Sequence, residues 1–131
     1  MASGVFSLLQ CPRKGVLKMN KGKLLIAAGR GKLLLDIGDI IYIEVINHHT
    51  IIHCRRGDYT VRCPIREFEE LLEGKGFCRI HRSFLIAVDY VNVWEKDRVI
   101  LSDRKASELP VGGCYREAFA DMMEGIAVLS L

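Results

Sequence analysis

Between residues 22 and 62 the chain is a series of short β-type runs separated by turn residues, and no other feature limits its fold as strongly. Residues 23–28 and 32–36 flank Gly29-Arg30-Gly31 and read as a hairpin. Residues 50–54 and 58–62 flank Arg55-Arg56-Gly57 and read as a second. Between them, residues 40–46 form an apolar, β-branched run suited to a central buried strand. In the last run, Tyr59, Val61 and Cys63 alternate with Thr60 and Arg62, the period-2 pattern of a half-exposed strand.

The period changes at Pro64. Proline suits the first turn of a helix. Ile65, Phe68, Leu71 and Leu72 then recur at helical spacing, with Arg66, Glu69, Glu70 and Glu73 on the other face, and Gly74 and Gly76 end the pattern. Further strands are predicted at residues 84–86, 90–94 and 99–101, with Lys96-Asp97 as a turn, and a short one at 107–111. Tyr115, Phe119, Met122 and Ile126 mark a C-terminal amphipathic helix whose stripe suits a core or a subunit contact. The expected fold class is mostly β with two helices. Strand and helix do not alternate regularly, which disfavours a doubly wound nucleotide-binding fold, and no GxGxxG or Walker-type loop is present. Residues 1–20 are irregular in pattern and read as an N-terminal arm or linker, and residues 21–131 as one domain.

Composition narrows the class. Half of the residues are hydrophobic, more than a disordered chain carries. The apolar runs, such as 33–35 and 40–43, fall far short of the about 20 residues that cross a bilayer. No signal-peptide cleavage pattern is visible, so the expectation is a soluble cytoplasmic protein with no membrane partner. The five cysteines are widely spaced with no C-x-x-C pair, which fits reduced thiols rather than a structural zinc site or a thioredoxin-like motif. The net charge of +3 is uneven: residues 1–35 hold seven basic side chains and no acidic one, leaving the remainder net acidic. A basic segment is compatible with a polyanionic partner and equally with a solvated, lysine-rich surface.

The most informative run is Phe77-Cys78-Arg79-Ile80-His81-Arg82-Ser83-Phe84. Two arginines, a histidine and a serine stand between apolar anchors. Arginine presents a planar donor fork that matches phosphate oxygens and the acceptor edge of guanine. As composition alone, the cluster fits structural ion pairs as well.

The order of residues in this run resembles the F-x-R-I-H-R-S signature of the LytTR family. Upstream, Asp39-Ile40-Ile41-Tyr42-Ile43-Glu44 resembles that family's D-I-x-Y-I-E strand. Downstream, Leu109-Pro110-Val111 resembles its L-P-V, and Tyr115 the aromatic that follows. The resemblance these motifs carry covers roughly residues 22–120. The resemblance implies an elongated fold of short antiparallel strands in more than one sheet, with a helix packed alongside. It also implies a bacterial transcription regulator that reads duplex DNA through inter-strand loops, with two copies on paired operator sites, where they could form a homodimer. The loops would be residues 47–50, carrying His48 and His49; Arg82 with Ser83; and Gly112-Gly113-Cys114. Arg79, Arg55, Arg56 and Ser83 would hold the DNA backbone or the loop itself.

Two departures stand out. The family commonly has Ser-Arg after L-P-V, where this chain has Gly112-Gly113, and the family's V-N after the H-R-S run is Ile86-Ala87 here. The glycine pair leaves open a second function, a LytTR-fold interaction or ligand-sensing module with weakened DNA binding. The acidic cluster of a phospho-receiver domain is absent, since no acidic residue precedes Asp36. His48, His49, His53, Cys54 and His81 invite a metal reading, but no HExxH or carboxylate-rich pattern accompanies them. Cys78 with His81 could pair as nucleophile and base, but Cys78 sits in an apolar frame and suits packed core. The expectation is no enzyme, no metal and no cofactor.

Overall fold

A computed structural model of the chain describes residues 18–20, 22–28 and 31–125. The arm at residues 1–17, the hairpin tip at Gly29-Arg30 and the helical position Ile126 lie outside these residues. Three antiparallel sheets are present among them. The first joins β1 (Lys18–Asn20), β2 (Lys23–Ala28) and β3 (Gly31–Asp36). The second and central one contains β4 (Ile40–Ile46), β5 (His49–Cys54), β6 (Gly57–Val61), β7 (Phe77–His81) and β8 (Phe84–Ala87), in the order β6-β5-β4-β8-β7. The third joins β9 (Val91–Trp94), β10 (Arg98–Leu101) and β11 (Glu108–Pro110). Helix α1 (Ile65–Leu71) separates β6 from β7, and α2 (Arg116–Glu124) follows the third sheet. The architecture is the expected mostly-β one, with both helices near their predicted places.

The central sheet is covered on both faces, and its middle strand is accordingly apolar apart from Glu44, which pairs with His53. One core gathers Leu24, Ile26, Leu33 and Leu35 of the first sheet, Ile43, Ile52, Val61 and Leu85 of the central sheet, and Ile65, Phe68 and Leu72 around α1. The other gathers Tyr42, Ile80 and Ile86 of the central sheet, Val99, Leu101 and Leu109 of the third sheet, and Phe119 of α2. Alternate residues of β8 serve alternate cores: Leu85 and Ala87 the first, Ile86 the second. In β4 a bulge between Ile40 and Tyr42 shifts the phase, so that Ile41 and Tyr42 both join the second core. Phe68 and Phe119, one for each core, are fully buried. Burying a side chain of this size is worth about 1.5–3 kcal/mol.

Several boundaries differ from the predicted ones for local reasons. Pro64 is extended (φ −62°, ψ 144°) and stands just before α1 rather than inside its first turn. Gly74 adopts φ +76° after the helix, a left-handed conformation that glycine enters without steric cost. The predicted strand at 90–94 begins at Val91, because residues Val88–Tyr90 form a single 3-10 turn. Two strands carry no forecast: β1, inside the segment read as irregular, and β7, which holds the arginine-histidine run.

Cys54, Cys63 and Cys78 are buried and unbridged, whereas Cys114 is exposed. Burial first, then Asp39 and Asp58, push the Cys54 thiol up to about 12. Burial and then Glu69 push Cys78 up to about 11. Only the thiolate is nucleophilic. Among these four cysteines, Cys114 is therefore expected to react first with an alkylating reagent at pH 8, with Cys54 and Cys78 labelled only after denaturation. Peptide mass spectrometry of a timed labelling reaction checks this; early labelling of Cys54 would contradict the packed core.

Candidate nucleic-acid interface

At one end of the central sheet, two tight turns lie side by side. The first joins β4 to β5 through Asn47 and His48, closed by the pair Ile46 and His49. Both corner residues have left-handed backbones, φ 50° at Asn47 and 68° at His48, as in a type I′ hairpin turn. Asparagine and histidine enter this region more readily than other non-glycine residues, though at a cost glycine does not bear. The second turn joins β7 to β8 through Arg82 and Ser83, closed by His81 opposite Phe84. The Val45 amide donates to the Ser83 carbonyl at 3.0 Å, tying the second turn to the strand that leads into the first.

Arg79 holds this region together. Its Nε donates to the His81 carbonyl at 2.9 Å and its Nη2 to the Arg82 carbonyl at 2.5 Å. Its Nη1 reaches Glu69 of α1 at 2.7 Å. The guanidinium carbon also lies 5.9 Å from the centre of the Tyr115 ring, a cation–π contact. Only 13% of this side chain is exposed. Every face of the fork is thus committed to the protein, and Arg79 organises the turn instead of projecting from it.

Arg82 is the opposite case: exposed, with no ion pair or side-chain hydrogen bond among the described residues. It lines a shallow groove with Asn47, His48, Arg62, Arg79 and Ser83. Arg62, also exposed, went unnoticed in the sequence because it lies outside every motif. The only signal for it was its polar position in the alternating run before Pro64. His48 reaches this groove, while His49 does not line it. Along β5 the residue after His49, Thr50, is buried and donates from Oγ1 to the Cys63 carbonyl at 2.5 Å. By strand alternation His49 falls on the other face, with Ile51 and His53.

Gly112 abuts the same end. Its amide donates to the Ile80 carbonyl at 2.7 Å, and a Cβ there would sit 3.3 Å from Tyr115 Cδ2 and 3.5 Å from His81 Cδ2. Its backbone is extended at φ −69°. A Cβ on Gly113 would meet nothing within 4 Å. Neither glycine has a positive φ, so both positions accept side chains without backbone strain. Arg55 and Arg56 lie at the far end of β5, in its turn to β6, one strand length from the two turns. They are not part of this cluster. The remaining histidines are internally engaged. His53 Nε2 meets Glu44 at 2.5 Å and Nδ1 meets Asp58 at 3.1 Å, and His81 Nδ1 accepts from the Ser83 amide at 3.1 Å.

The strained turn makes a direct test possible. His48→Gly is expected to stabilise the fold by about 0.5–1 kcal/mol, because glycine relieves the left-handed corner. If His48 serves binding, the same change weakens it. Chemical denaturation and a binding titration on one preparation read both quantities; a loss of stability would contradict the turn geometry.

The family model of the LytTr DNA-binding domain matches residues 30–124, most of the chain. The sensory transduction protein LytT of Bacillus subtilis is 26% identical over 104 residues, which cover 77% of this chain and 43% of that protein. The CO-responsive transcriptional regulator RcoM of Rhodospirillum rubrum is 27% identical over 94 residues, covering 69% of this chain and 40% of its own length. The chain thus spans about two fifths of the length of these relatives. A solved LytTr DNA-binding domain from Bacillus cereus superposes with a TM-score of 0.65 at 22% identity, over 79% of this chain and 98% of that one, and so shares the fold. No helix of the described residues is long and apolar enough to cross a membrane. With its sheets, motifs and family match in agreement, the chain belongs to the LytTr DNA-binding domain family.

Proposed function

We propose that this domain binds duplex DNA sequence-specifically, as part of a transcription regulator, and reads it through the turns at one end of the central sheet. The carrying observation is the contrast between its two motif arginines: Arg79 is consumed in holding the turn, whereas Arg82 projects unpaired beside His48 and Arg62. An unpaired guanidinium breaks no internal ion pair when it meets a guanine edge or a phosphate, and its planar fork loses less entropy per hydrogen bond formed than a lysine would. In this reading Arg82 and His48 meet base edges or phosphates, Arg62 adds a phosphate contact, and Ser83 shapes the second turn. His49, exposed on the sheet's other face, flanks the first turn. Gly112 keeps its amide on the Ile80 carbonyl, so Gly113 is the member of the pair left to approach a phosphate with its backbone amide, and neither has a side chain to read a base. Two copies on paired operator sites are expected, and no enzymatic step, metal or cofactor is part of the reading. Selection of random duplexes by the purified protein tests it: a single enriched motif supports the proposal, and no enrichment opposes it.

A second reading, an interaction module that keeps the fold with little DNA affinity, is favoured by one observation: the third loop carries no arginine. Gly113→Arg separates the two, since open space surrounds that position. If the third loop faces DNA, the variant is expected to bind more tightly and to steepen the salt dependence by about one unit, as one added phosphate contact would. A titration at several salt concentrations reads both. An unchanged slope would place the third loop off the DNA.

A further inference from the structure

A second basic feature lies at the end of the central sheet away from the reading turns. The β5–β6 turn (Arg55-Arg56-Gly57) and the loop from β10 to β11 border a cleft of about 660 Å³, floored by Tyr42 and His53. Ligand pockets typically measure about 300–1,000 Å³. Arg55, Arg56, Arg104 and Lys105 line it, all exposed. Its two carboxylates are already committed. Asp58 pairs with His53 at 3.1 Å, and Asp103 accepts from the Ser107 amide at 2.7 Å and from its hydroxyl at 2.6 Å. Arg56 makes only a 3.9 Å contact with Asp39, while Arg55, Arg104 and Lys105 have no side-chain partner among the described residues.

The loop that carries Arg104 and Lys105 is held in an unfavourable shape. Ala106 sits at φ +50°, a conformation that L side chains rarely adopt. Its amide donates to the Asp103 carbonyl at 3.0 Å, so Asp103 fixes the loop from both its backbone and its side chain. Backbone strain maintained in this way clusters at ligand sites. On the floor, burial and then Glu44 push the Tyr42 phenol up to about 12, and its side-chain hydrogen bond with Ser107 ties the floor to the loop that Asp103 holds.

We propose that this cleft binds a small phosphorylated molecule, its phosphate held by Arg55, Arg104 and Lys105 above the Tyr42–His53 floor. Guanidinium forks match phosphate geometry, and a concave site lined by four basic side chains against two carboxylates keeps net positive charge for an incoming anion. The inference is independent of duplex reading, which uses the other end of the sheet. A ligand here would bridge the central and third sheets.

Titration of the isotopically labelled protein with inorganic pyrophosphate, and separately with adenosine monophosphate, tests the site by amide chemical shifts. Saturable shifts are expected at Arg55, Gly57, Arg104 and Lys105, with the His48 and Arg82 amides unmoved. The double variant R104A/K105A, checked by its melting curve, is expected to weaken binding at least tenfold, and R55A supplies an independent second test. Shifts spread equally over the reading turns would mean diffuse anion attraction and would overturn the proposal. So would the absence of saturation with both probes. A third arm adds a short duplex: if only the duplex moves the Arg104 and Lys105 amides, the cleft is a DNA-backbone contact and the small-molecule assignment is wrong.

Discussion

Replacing Arg79 with alanine is expected to destabilise the domain by about 2–4 kcal/mol and to reduce duplex binding at least tenfold, although this side chain is committed to partners within the protein. The change removes two charge-assisted bonds to the carbonyls of His81 and Arg82 and leaves Glu69 without its partner. Hydrogen bonds to charged groups contribute about 1.5–3 kcal/mol each. The Glu69 pair adds less, because the carboxylate is 43% exposed and screened by solvent. Arg79→Lys keeps the charge but cannot span both carbonyls and Glu69 with one planar fork, so it is expected to recover only part of the stability. Urea denaturation of both variants, with binding measured where each is fully folded, distinguishes the two roles. Undiminished stability in Arg79→Ala would mean that the turn holds without its staple.

Arg82→Ala is expected to do the reverse: to leave stability within about 0.5 kcal/mol, as for an exposed residue without partners, and to cost binding. If the guanidinium reads a guanine, the loss is about 1–3 kcal/mol, tenfold to over a hundredfold, concentrated at one base pair. A uniform loss over all sequences would make it a phosphate contact. An Arg82→Ala variant that binds every duplex as well as the parent does would remove Arg82 from the interface. The pair of variants separates a residue that builds the turn from one that uses it.

Much of the fold was legible because its signals are local. The central strand at residues 40–46, the hairpin over residues 50–62, the switch to helical spacing after Pro64, and the Tyr115-Phe119-Met122 stripe all appear where periodicity places them. The strand Phe77–His81 was harder to see. Its period-2 signal is present, Cys78 and Ile80 alternating with Arg79 and His81, but the charged side chains of an edge strand left the run without a strand forecast. The site was legible only in part. Residue types located the two turns, but the separate roles of Arg79 and Arg82 depend on where the His81 and Arg82 carbonyls and Glu69 end up, a tertiary fact. Likewise His48 and His49 are neighbours in sequence but diverge in space, because a two-residue turn ends between them. Arg55 and Arg56 are grouped with the other basic candidates by residue type, but strand length places them at the opposite end of β5 from the two turns.

The most direct measurement of the central claim is the affinity of the unmodified protein for its selected duplex, and for a scrambled one, across a range of salt concentrations. Each neutralised phosphate contributes about 0.9 to the slope of log affinity against log salt on B-form DNA. DNA reading by these turns predicts a linear fall with salt for both duplexes and a persistent preference for the selected sequence. Binding to neither duplex, or an affinity that ignores salt, would contradict it and leave the interaction-module reading in its place.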